Sequence, residues 1–97
     1  IGIVPVPEEI AMRAGVRGLV IQTVRPGSSA ETAGLRGLDP RGRVGDVILE
    51  VGGTAVASVG ELSLALEQAG IGNTARLTVV REGRRRTVDV KVQDING

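Results

Sequence analysis

Apolar residues fall along this chain in short runs closed by glycine or proline, and only once in a long stripe of helical period. The densest run, Gly45 to Gly53 (GDVILEVGG), sets Val47, Ile48, Leu49 and Val51 between glycines. A run this short and rich in β-branched residues predicts a strand covered on both faces, since a helix needs a longer periodic pattern. Asp46 and Glu50 punctuate it and are expected at its mouth or on its wet face. Further strands are predicted at Ile1 to Val6 (IGIVPV), Gly18 to Val24 (GLVIQTV), Ala75 to Arg81 (ARLTVVR) and Arg85 to Val92 (RRTVDVKV), with a brief extended piece at Thr54 to Val56. Glu82-Gly83 turns the last pair into a hairpin. Pro5 cannot donate to a ladder, which places the first strand at a sheet edge or turns the Pro5 amide side away from its neighbour.

The helical stripe runs from Val59 to Ala69. Leu62, Ala65 and Ala69 share one face, and Val59, Ser63 and Leu66 an adjacent one. Two apolar stripes need two neighbours: one the core, the other either more core or an open groove. Ser58 is placed as the N-cap and Gly70 as the stop. Pro7-Glu8-Glu9 opens a short helix with acids near the positive end of its dipole. Its Ile10, Ala11 and Ala14 can face the body, and Gly15 ends it. Ser28 or Ser29 caps another short helix through Ala33, stopped by Gly34, with Leu35 tucked beneath. Arg36 to Arg43 (RGLDPRGR) has turn residues throughout and reads as the least ordered loop.

Composition narrows the chemistry. Ninety-seven residues suit one domain with one core. The net charge of +1 supplies no global field toward nucleic acid or anionic lipid. Without cysteine there are no disulfides or thiolate ligands, and without histidine the commonest base and metal ligand are missing. No cofactor and no metal site are expected; Asp39, Asp46 and Glu50 are scattered rather than set as a calcium loop. The absence of Phe, Tyr and Trp removes stacking on bases and leaves any pocket aliphatic. No apolar run approaches the roughly 20 residues of a membrane span. Ser28 and Ser29 read as caps, because no base is there to activate them, and Lys91 reads as solvated.

Strand, short helix, strand, PGSSAETAGL, GDVILEVGG, a helix beginning SVGEL, and a final hairpin: this order resembles a PDZ domain over nearly the whole chain, 1–97 as a single domain. It looks like the circularly permuted kind of bacterial HtrA/Deg-type serine proteases, in which the domain opens at the carboxylate-binding loop. The resemblance implies a mainly β, α+β fold: a small, partly open β-barrel or sandwich of five to six strands with one main helix and one or two short ones. Ile1-Gly2-Ile3 would be the loop and Arg85 to Val92 the relocated strand. It also implies recognition of hydrophobic C-terminal peptides or unfolded segments by strand addition, with Ile1, Gly2, Ile3, Val4, Val59, Leu62, Ser63 and Leu66 as the site.

In that reading the amides around Gly2 and Ile3 form a nest for a carboxylate, Ile1, Ile3 and Leu66 line the first pocket, and Val59 with Ser63 the second. The chain would be a non-catalytic module, partnered by its own protease domain in a periplasmic or envelope parent. Two other readings stay open. The domain could serve another envelope protein, such as a processing protease or secretion component. Or it could be a scaffold or oligomer interface, with Arg84-Arg85-Arg86 either a phosphate patch or a charged hairpin that protects an edge. Ile1, Ile3 and Leu66 could also simply be core.

Overall fold

The computed structural model describes residues 2–13, 15–16 and 18–92. Its elements are β1 (Ile3–Pro5), α1 (Glu8–Arg13), β2 (Leu19–Val24), α2 (Ser29–Thr32), β3 (Asp46–Val51), β4 (Thr54–Ala55), α3 (Val59–Ala69), β5 (Thr74–Arg81) and β6 (Arg84–Lys91). The strands form one antiparallel sheet in the order β1-β2-β3-β5-β6, with β4 appended to β3. This is the mainly β fold with one main helix and two short ones that the sequence order implies.

The run expected to be covered on both faces is a central strand. β3 pairs with β2, β4 and β5, and Val47, Ile48 and Val51 are buried. One face of the sheet carries the larger core, with Ile21, Ile48, Leu77, Val79 and Val90 under Leu62 and Ala65 of α3. The other carries a smaller cluster in which Ala11 of α1 covers Val20 and Val47. β2 belongs to two ladders: Leu19 and Val20 pair with β3, and the residues from Ile21 to Val24 pair with β1. The change falls between Val20 and Ile21; β1 then skips Gln22, whose carbonyl accepts the amide of Leu38 at 3.0 Å.

The local signals for α3 act as read. Ser58 Oγ accepts the Glu61 amide at 3.2 Å, while Glu61 Oε1 reaches back to the Ala57 amide at 3.1 Å, and Gly70 leaves the helix at φ 91°. Ser28 likewise caps α2. The β5–β6 turn has positive φ at both Glu82 (53°) and Gly83 (77°), matching the twist that a two-residue hairpin requires.

Three expectations are corrected. Ile10 is 57% exposed: α1 is too short to present more than one residue to the sheet, and the small Ala11 takes that place, while Ala14 lies outside the described residues. Asp46, expected at a mouth or wet face, is fully buried. It lies directly across from Arg81 in the β3–β5 ladder, whose guanidinium reaches its two oxygens at 2.8 and 2.7 Å. Asp46 also accepts the Arg36 amide at 2.8 Å, and Arg81 donates to the Gly34 carbonyl at 2.7 Å, so this pair fastens both ends of the α2–β3 connection. Its hydrogen bonds to Asp46 outweigh burial and hold the Arg81 pKa above its ordinary value.

The third correction is the loop itself. Asp39 closes it, taking the Arg41 and Arg43 amides at 2.9 and 2.8 Å and the Arg43 guanidinium at 2.8 Å. Bonding of the Arg43 amide holds the Asp39 carboxyl below its ordinary 3.8. A lowered folded-state pKa means that the support is fully present above 3.8 and is lost as pH falls through the lowered value. The Arg41 and Arg43 amide resonances are therefore expected to shift with a midpoint below pH 3.8, and in Asp39→Asn that titration disappears. A midpoint at or above the ordinary value would contradict the loop closure.

Candidate peptide-binding groove

β1 stands at one margin of the sheet, and among the described residues it pairs only with β2. Two bonds fix which way its backbone faces. The Gly2 carbonyl accepts the Arg25 amide and the Val6 amide donates to the Val20 carbonyl, both at 2.8 Å. Polar groups alternate along a strand, so Val4 also turns toward β2. Ile3 and Pro5 turn their backbone groups to the open margin.

Side chains alternate as well. Ile3 is half-buried and packs against the larger core, as does the half-buried Leu66 of α3. From Leu66 the outer stripe of α3 opens to solvent, with Ser63 exposed and Val59 52% exposed. Ile3 and Leu66 are thus both half-buried against the larger core, while Ser63 and Val59 stand exposed on the outer stripe of α3. Leu62 is not among them: at 5% exposure it belongs to the core beneath. Val4 is half-buried, with its side chain on the face opposite Ile3 and its backbone engaged by β2. Ile1 lies outside the described residues.

Gly2, which leads into β1, is confined by its surroundings. Its φ is 83°, and any Cβ there would overlap the Cβ of Ser28 and come within 2.7 Å of its Oγ. Ser28 is itself fixed, donating to the Arg25 carbonyl at 2.7 Å and accepting the Glu31 amide at 3.2 Å. The start of β1 therefore rests on the cap of α2, a contact between PGSS and IGI that no short-range pattern reveals. Arg84, Arg85 and Arg86 are exposed on β6, at the opposite margin of the sheet. No group of three or more acidic side chains able to hold a metal ion occurs among the described residues.

The family model described as "PDZ domain" matches residues 1–92. The chain belongs to the PDZ domain family. Among curated proteins, this PDZ chain is 40% identical over 75 residues to "Serine protease Do-like HtrA" of Lactococcus lactis subsp. lactis, covering 77% of this chain and 17% of that protein. It is 31% identical over 77 residues to a "Probable periplasmic serine protease do/HhoA-like" of Haemophilus influenzae, covering 79% and 15%. Both matches span less than a fifth of a longer protein, so their protease names describe more than this domain. Among solved structures, the HtrA3 PDZ domain bound to a phage-derived ligand (FGRWV) superposes with TM-score 0.70 at 22% identity, covering 94% of this chain and 81% of that one. That likeness concerns the fold.

Proposed function

We propose that this PDZ domain, spanning 1–97, captures the extended C-terminal tail of another polypeptide between β1 and α3. The observation that carries the reading is the outward-facing backbone of Ile3 and Pro5 on a sheet margin that pairs with no further strand among the described residues, with Ile3 and Leu66 half-buried on the same core. A tail added as a strand would place its carboxylate at the Gly2–Ile3 turn and point its last and third-last side chains at α3. The first position takes Val, Leu, Ile or Ala against Ile3 and Leu66, with Ile1 as a further lining residue. The second meets Val59 and Ser63. Val4 and Leu62 support these two positions from outside them.

Burying one aliphatic side chain contributes about 1.5 to 3 kcal/mol, and a few docked residues cover far less than the about 1,600 Å² of a standard stable interface. Affinity in the micromolar range or weaker follows. The test is an NMR titration with a peptide ending in Val-COOH and the same peptide amidated. The free acid is expected to shift Gly2, Ile3, Ser63 and Leu66 and to bind at least about 10-fold more tightly, a charge-assisted bond set being worth 1.5 to 3 kcal/mol. Equal binding of the two forms overturns the reading.

The likeness to Do-like and HtrA proteins supports a parent serine protease in which this domain holds substrates or partner segments for a catalytic domain elsewhere. The periplasmic name of the Haemophilus relative supports an extracytoplasmic setting.

A further inference from the structure

The open margin of β1 is short of donors. Its outward-facing positions are Ile3 and Pro5, and the next in the alternation is Pro7. Ile3 offers both an amide and a carbonyl. Pro5 offers only a carbonyl, and the ring Cδ occupies the place of the missing hydrogen. Pro7 has no amide hydrogen either, and its carbonyl is taken by the amides of Ile10 (3.0 Å) and Ala11 (3.2 Å) as α1 begins. Among the described residues, one donor and two acceptors are therefore what Ile3, Pro5 and Pro7 present to an incoming strand.

Resting on the tail-capture reading, we propose that Pro5 ends the ladder, so that the domain reads the last three residues of a C-terminal tail and makes no backbone bond upstream of them. The Ile3 amide serves the carboxylate end and the Ile3 carbonyl takes the amide of the last residue. The Pro5 carbonyl takes the amide of the third-last residue. The third-last carbonyl has no donor opposite it and is pushed from the margin by the Pro5 ring. A strand that loses its partner there turns into solvent, and nothing beyond Pro5 draws it back. The ligand class is a free, apolar C-terminus whose upstream sequence is immaterial, such as ends newly exposed in many different chains.

Acetylated peptides of three, four and six residues ending in Val-COOH test this by titration. A second set replaces the amide between the third-last and second-last residues by an ester. The ester weakens the third-last carbonyl as an acceptor and deletes an N–H that points away from β1. The unaltered domain is expected to bind all three lengths, and amide and ester alike, within about 2-fold. Pro5→Ala supplies the missing donor and should bind the amide about 2- to 10-fold more tightly, a gain the ester does not share. A tenfold rise from three to six residues, or a several-fold ester penalty in the unaltered domain, overturns the three-residue limit while leaving tail capture standing. Failure of the free acids to bind, or equal binding of acids and amidated controls, overturns both.

Discussion

Asp46→Ala is expected to destabilise the domain by about 3 to 5 kcal/mol, the usual cost of removing one partner of a buried ion pair. The carboxylate is fully buried, and the Arg81 side chain is only 16% exposed. Removing Asp46 leaves the guanidinium with the Gly34 carbonyl alone and orphans the Arg36 amide. A domain of this size has a total stability of about 5 to 15 kcal/mol, so the variant should melt some 15 to 30 °C lower. Arg81→Met leaves the opposite charge stranded and should cost a similar amount. Because the two act as one unit, the double replacement Asp46→Ala with Arg81→Met should cost clearly less than the sum of the two single changes. Chemical denaturation of the four proteins measures this. A loss under about 1 kcal/mol for either single variant would show the pair to be no stronger than a surface ion pair.

Gly2→Ala should act mainly on recognition. The added methyl meets Ser28, and alanine must adopt the φ of 83° that glycine tolerates. Strain and overlap together should cost about 1 to 3 kcal/mol and move the turn that receives the carboxylate. Affinity for a free-acid peptide is expected to fall at least about 10-fold, approaching that of the amidated peptide. Adding Ser28→Gly removes the overlapping atoms, and glycine at an N-cap costs only a few tenths of a kcal/mol. The double variant should therefore regain part of the lost stability, while the φ strain remains. If Gly2→Ala binds free acids as well as the unaltered domain does, the carboxylate is held elsewhere.

The parts of the fold that could be read from the sequence are those written in neighbouring residues. Ser58, Glu61 and Gly70 mark the ends of α3 by bonds that reach at most four residues, and the spacing of Val59, Ser63 and Leu66 separates the outer stripe from the core stripe. What stayed hidden depends on distant partners. Asp46 meets Arg81 across 35 positions, and nothing near Asp46 announces burial. The Asp39 loop was legible in principle, since an aspartate bonding amides two and four residues on is a local motif, but its glycines and proline pointed to looseness instead. The periodicity of α3 put Leu66 and Ser63 on its outer stripe, where one is half-buried and the other exposed. It could not tell that Leu62 sits beneath them, because helical spacing does not say how deep the neighbouring sheet lies. Val4 turned on strand register, which only the Gly2 and Val6 bonds decide.

The divided pairing of β2 makes the sheet unequal in strength. β5 and β6 are joined over eight residues each, whereas β1 hangs by three from the far half of a bent strand. Opening is cheaper where fewer bonds must break, so of the two margins the one where a tail would land opens more readily than the β6 margin. An occupant would add to that strand a second row of partners beyond those among the described residues, and the weaker margin of the sheet would become sandwiched. Grip and stiffening would then be a single event, paid out at the edge and not in the core.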